Sequence, residues 1–192
     1  MLDHSYSPAR SLPWHHPLTL ICTWFCSGKM KPAPGTWGSF FTLPIPILLG
    51  ASFGAVPLTF ILLCLITLGL LAIGSIATHY YMKATRTHDA SEIVIDEVVG
   101  MLAVMIMTFK PLAVCYMESP YYGALMLLAV FAAFRVFDIL KPFPIRWCDQ
   151  RIHGAFGVMF DDIVAAVFAS ITLHILFIFL AYALIHNHPV TP

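Results

Sequence analysis

Seven carboxylates, Asp89, Asp96, Glu97, Asp138, Asp149, Asp161 and Asp162, out of ten acids in all, fall in short polar stretches of a chain that otherwise carries little charge. Acids gathered in this way suit metal-assisted chemistry. Two carboxylates about 4 Å apart repel by roughly 4 kcal/mol at an effective dielectric near 20, so a convergent cluster needs a cation or several protons. Oxygen donors with few well-placed sulfur or imidazole groups favour Mg2+ over Zn2+, and Mg2+ keeps waters and readily shares a phosphate. The residue types therefore point to phosphoryl chemistry.

Four stretches carry the candidates. In His88-Asp89-Ala90-Ser91-Glu92-Ile93-Val94-Ile95-Asp96-Glu97, a helix would set Asp89, Glu92 and Asp96 on one face. The plainer reading is a solvated first turn whose acids favour a helix N-terminus, but Val98 onward is already apolar and acids at membrane depth are costly. In the stretch from Phe134 to Asp149, a helix is expected to end near Lys141, and Pro142 and Pro144 predict an extended break after it. Asp138 and Lys141 would be i, i+3 neighbours, worth about 0.2 to 0.5 kcal/mol as a salt pair. Alternatively Lys141 and Arg146 hold an anionic oxygen, arginine offering a bidentate fork.

From His153 to Asp162 the chain reads as a glycine-loosened loop ending in two acids at the start of the last span. Asp161 could cap that helix, whereas Asp162, in its first turn, is not needed for capping. His153 reads as structural. Ser27 to Ser39, with Gly28, Gly35 and Gly38, can aim backbone N–H groups at an anion, or can simply turn into the first span. No glycine lies five residues before Gly28, so this is not a Walker A loop.

Membrane helices must position these stretches. Of 192 residues 59% are hydrophobic and only 10% charged, and the mean hydropathy is +0.84, far from the roughly 25% charge of soluble domains. At about 20 residues per span the chain has room for four or five helices, giving an all-α integral membrane protein folded as a compact bundle. The apolar segments are Ser39 to Phe53, Val56 to Tyr81, Val98 to Met117, Tyr121 to Phe137 and Ile163 to Ile185. The first carries Pro44 and Pro46 and is expected to be tilted, kinked or partly re-entrant. Lys110-Pro111 interrupts the third, whose helix should end near Phe109 or begin well before Val98. Residues 15 to 27 are expected to form a further interfacial helix.

Five spans place residues 28–38, 82–97 and 138–162 on one side. Nine of the ten Lys and Arg residues fall on or beside that side, with Lys110 alone opposite, which predicts a cytoplasmic location for the polar stretches. The first 26 residues lack the pattern of a removable signal peptide. Five cysteines, two of them inside apolar segments, suit neither a disulfide framework nor a zinc site. Acids and bases are intermixed and the net charge is zero, which argues against a nucleic-acid partner. A transporter with an acidic relay should carry charges in mid-span, but the second and fifth segments hold only His79 and His174. A phosphotransferase using a CDP-activated alcohol should show an Asp-Gly-x-x-Ala-Arg pattern, which is absent.

Taken in order, Pro34-Gly35-Thr36-x-Gly38-Ser39, Ile95-Asp96-Glu97-x-x-Gly100-Met101, Phe134-Arg135-x-Phe137-Asp138-x-x-Lys141-Pro142-x-Pro144-Ile145-Arg146 and Gly157-x-Met159-x-Asp161-Asp162-Ile163-x-Ala165 resemble the successive signatures of the phosphatidylglycerophosphatase A family. The resemblance covers about residues 26 to 170. It implies a magnesium-dependent bacterial inner-membrane enzyme that removes the terminal phosphate of phosphatidylglycerophosphate, a lipid substrate met in the bilayer, to give phosphatidylglycerol. On that reading residues 1–25 are a cytoplasmic or interfacial segment, 26–186 the membrane domain and 187–192 a periplasmic tail.

Combined with the residues, the resemblance makes Asp96, Glu97, Asp138, Asp161 and Asp162 the expected ligands of one or two Mg2+ ions. Lys141 and Arg146, with Arg135, would neutralise phosphate charge, helped by Gly35, Thr36, Gly38 and Ser39, and Asp89 or Asp149 would be the base. The chain departs from the family pattern at Cys26 and Lys31, where a glycine ahead of Ser27 and a proline near 31 are expected.

Overall fold

The computed structural model describes residues 12–54, 56–87, 90–152 and 154–187, and among them the regular structure is entirely helical. A short helix α1 (Pro17–Cys22) is followed by a 3-10 turn (Ser27–Lys29), then α2 (Pro34–Thr42) and α3 (Pro44–Phe53). The long α4 (Val56–Thr85) precedes α5 (Ile95–Met107) and α6 (Phe109–Glu118), and α7 (Pro120–Leu140), α8 (Ile145–Arg151) and α9 (Gly154–Asn187) complete the chain. Four stretches, Pro34–Phe53, Val56–Thr85, Pro120–Leu140 and Gly154–Leu180, are long and apolar enough to cross a membrane, and the pair α5–α6 makes a fifth if counted as one bent span. The chain is a multi-pass membrane protein.

The centre of the bundle is α5. Nine of its thirteen residues are buried, because it is apolar nearly all round, as expected of a helix enclosed by others. It packs chiefly against α9, and also against α4, α2 and α7. Ala165, Ala166 and Ala169 of α9 are fully buried, and their small side chains allow the close backbone approach that holds membrane helices together without a hydrophobic driving force. Leu65, Leu68, Ile73 and Ile76 of α4 and Ile175, Ile178 and Phe179 of α9 remain exposed, as lipid-facing residues should.

Several expectations need correction. Asp161 and Asp162 do not open the last helix: α9 begins at Gly154, whose φ of 84° makes the turn back into helix, so the two acids lie about two turns inside it. After Leu140 the chain does not run extended, since Lys141 closes α7 at a left-handed φ of 41° and Ile145 N–H donates to Pro142 O at 2.7 Å, leading straight into α8. The third span's first helix ends at Met107, close to the expected end near Phe109, and the span bends by 72° at Thr108. There the Thr108 hydroxyl turns back to Val104 O at 2.7 Å, while Pro111 sits in the first turn of α6, where its missing N–H is not needed. The first span extends back to Pro34 and reaches 20 residues despite its prolines. The interfacial helix expected over 15–27 is confined to Pro17–Cys22. Glu92 does not share a helix face with Asp96, because it lies in a turn before α5 and accepts a hydrogen bond from the Tyr81 hydroxyl of α4. Asp89 and His153 lie outside the described residues.

Candidate active site

Three helix segments and one helix start meet at one end of the bundle. The first turn of α5 supplies Asp96 and Glu97, where the positive end of the helix dipole favours acids. The last turns of α7 supply Arg135 and Asp138, with Lys141 just beyond, and α9 supplies Asp161 and Asp162. Gly35 and Ser39 come from α2, and the fit is tight. A Cβ on Gly35 would overlap Glu97 Oε1 and approach Arg135 Nη1 to 3.3 Å, and one on Gly100 would meet the Phe134 ring at 2.6 Å and Asp162 Cβ at 3.1 Å. Glycine at these two positions lets α2 and α5 close onto the acids. Gly35→Ala is accordingly expected to displace the Glu97 carboxylate and cut turnover about 100-fold, the scale of a misplacement near 1 Å, while the purified protein still elutes as a folded species.

The charges pair selectively. Arg135 Nη1 donates to Asp138 Oδ2 at 2.5 Å and lies 3.5 Å from Ser39 Oγ. Lys141 Nζ donates to Asp161 Oδ2 at 2.5 Å and to Asp149 Oδ1 at 2.9 Å. The expected Asp138–Lys141 pair is therefore replaced by two others, because the left-handed turn at Lys141 swings its side chain away from α7 toward α9. Burial disfavours the Lys141 ammonium, but its hydrogen bonds to Asp161 and Asp149 outweigh that and hold it above the usual lysine range.

Once these two pairs are formed, Asp96, Glu97 and Asp162 make no ion pair among the described residues, and they are the three that converge. One carboxylate oxygen from each lies within 4.8 Å of the others. Asp96 Oδ1, Glu97 Oε2, Asp161 Oδ1 and Asp162 Oδ2 are all buried with no hydrogen-bond partner among the described residues. Orphaned acceptors of this kind are costly, by several kcal/mol for charged groups, unless a cation or protons fill the space between them. A hard divalent cation fits this all-oxygen donor set, and Mg2+ fits it better than Zn2+.

Other expected site residues stand apart. Arg146 is exposed on α8 and makes no ion pair among the described residues. Asp149 is an exposed partner of Lys141 rather than a neighbour of the triad. Thr36 spends its N–H on Ala33 O at 3.1 Å, and Gly38 lies against Val94. Of the glycine-rich stretch, only Gly35 and Ser39 touch the charged groups.

The profile of the phosphatidylglycerophosphatase A family matches residues 20–177. The chain belongs to this family. Among relatives of this phosphatidylglycerophosphatase A family member, a phosphatidylglycerophosphatase A of Haemophilus influenzae is 34% identical over 171 residues, covering 87% of this chain and 93% of the relative. A phosphatidylglycerophosphatase A of Escherichia coli K12 is 34% identical over 163 residues, covering 83% and 81%. A putative phosphatidylinositol-3-phosphatase of Bacteroides thetaiotaomicron is 32% identical over 155 residues, covering 80% and 89%. No solved structure matches the chain. As a member of a phosphatidylglycerophosphatase A family the protein is a phosphatase, and the converging acids lie inside the matched region.

Proposed function

We propose that this protein hydrolyses the terminal phosphomonoester of phosphatidylglycerophosphate to phosphatidylglycerol and phosphate, in a Mg2+-dependent reaction at the cytoplasmic face of the bacterial inner membrane. The observation that carries this reading is the convergence of Asp96, Glu97 and Asp162, each with a buried carboxylate oxygen that has no hydrogen-bond partner among the described residues. Two relatives named for phosphatidylglycerophosphate hydrolysis, matched over most of both chains, support the substrate. The bias of Lys and Arg to the polar stretches supports the cytoplasmic orientation.

Asp96, Glu97 and Asp162 would hold the magnesium, with Asp138 and Asp161 completing the acidic wall. A divalent cation bound there supplies charge for the phosphate oxygens and a more acidic water. Arg135 is fixed by Asp138, and its Nε has no partner among the described residues, so it has a donor left for a phosphate oxygen as charge builds on the leaving group. Lys141 keeps Asp161 in place and can exchange the exposed Asp149 for a phosphate oxygen. Arg135, Asp138, Asp161 and Asp162 are largely screened from water, which strengthens their interactions.

The substrate assignment is tested by offering vesicles containing phosphatidylglycerophosphate or phosphatidylinositol 3-phosphate to the purified protein and measuring phosphate release. Preference for the first by at least about 100-fold is expected from headgroup contacts specific to one substrate. The opposite preference would reassign the substrate, and no release from either would overturn the proposal.

A further inference from the structure

Residues 90–94 deliver the chain into α5, and they are clasped from several sides. From α4, the Tyr81 hydroxyl donates to Glu92 Oε1, and Tyr81 itself is only 1% exposed. From the 3-10 turn, Gly28 lies so close to the Glu92 carbonyl that a Cβ there would overlap it. From α1, Cys22 O accepts a 2.8 Å hydrogen bond from Val94 N–H, and from α2 a Cβ on Gly38 would come within 2.9 Å of Val94 Cβ. The side-chain bond in this clasp is the odd one. A phenylalanine would bury the ring of Tyr81 equally well, so core packing does not account for the hydroxyl or for an acid opposite it. Glu92 precedes Asp96 by four residues, with α5 starting at Ile95, so the intervening chain has little slack.

We propose that Tyr81 and Glu92 are positioning residues for phosphate release: their hydrogen bond fixes the height and rotation at which α5 begins, and so where the Asp96 and Glu97 carboxylates stand relative to Asp162. Successive helical residues are turned by about 100°, so even a partial rotation of the first turn would move both carboxylates out of register with α9. The inference rests on the phosphatase reading given above, but the clasp has a readout of its own.

The test uses the full chain in detergent and four variants: Tyr81→Phe, Glu92→Ala, Glu92→Gln and the Tyr81→Phe/Glu92→Ala double. Tyr81→Phe and Glu92→Ala are expected to lower kcat about 10- to 100-fold, with KM within about twofold and melting temperatures within a few degrees of wild type. Glu92→Gln keeps an acceptor for the phenol and should retain kcat within about threefold of wild type. The double variant should be no worse than the poorer single, because both remove one shared bond. Hydrogen exchange supplies the second arm: amides of residues 94–97 should exchange about tenfold faster in Tyr81→Phe, with α9 unchanged. Unchanged exchange overturns the proposal, as does a Glu92→Gln no better than Glu92→Ala with losses that track melting temperature. Should the wild type release no phosphate from any lipid, the phosphatase reading fails alone, and the exchange arm still decides the clasp.

Discussion

Replacing Asp162 by Asn is expected to lower phosphate release at least about 1000-fold, a loss of roughly 4 kcal/mol of transition-state stabilisation, while raising the melting temperature of the cation-free protein. The two effects share one cause. Asp162 is 3% exposed and faces Asp96 and Glu97 with no ion-pair partner among the described residues. Like charges this close destabilise the folded state, and asparagine keeps the shape while removing one of them. At about 1 kcal/mol per 2 to 4 °C for a chain of this size, relief of part of that repulsion should show as a gain of several degrees. The order should reverse on adding millimolar Mg2+, because a ligand that binds only the folded state stabilises the wild type and has little hold on the variant. Melting curves with and without the cation, beside phosphate assays, read all three quantities. An active Asp162→Asn would remove this residue from the site.

The second large effect is expected at Lys141. Lys141→Met should lower the melting temperature by about 5 to 10 °C and cut turnover at least tenfold, because it strands the buried Asp161 carboxylate, which is 4% exposed and held by Lys141 Nζ at 2.5 Å. Asp149→Asn should do much less, since that carboxylate is exposed and its bond to Lys141 is one of two. The sign with pH follows from the raised lysine. A group whose folded pKa lies above its unfolded value contributes in full below the unfolded value, near 10.5, and loses that contribution as pH rises through the folded one. The melting difference between wild type and Lys141→Met should therefore be the same at pH 7.5 and pH 9. A difference that fades across that interval would mean Lys141 is not held as a cation by Asp161 and Asp149.

Much of the candidate site was legible because carboxylates are rare in this chain and expensive in a bilayer: residue types singled out seven acids, and the family resemblance narrowed them to Asp96, Glu97, Asp138, Asp161 and Asp162. The all-helical bundle was legible from the apolar runs. What the linear chain hid was which acids are already neutralised. That depends on the left-handed turn at Lys141, which carries the ammonium to Asp161 and leaves Asp138 to its i,i+3 neighbour Arg135. Gly154 and Gly157 read as loop residues, yet the chain is already helical there because Met159 has a core to enter. Arg146 read as half of a phosphate clamp, but α8 turns it outward. The Tyr81–Glu92 bond links residues on separate elements and has no local pattern to betray it.

The most direct test of the proposed chemistry is phosphate release from phosphatidylglycerophosphate by purified protein in three conditions: wild type with Mg2+, wild type with a chelator, and Asp96→Asn with Mg2+. Rapid release in the first and at least about 1000-fold less in the other two is the predicted result. Equal rates in all three would contradict a cation-dependent site built on Asp96, Glu97 and Asp162.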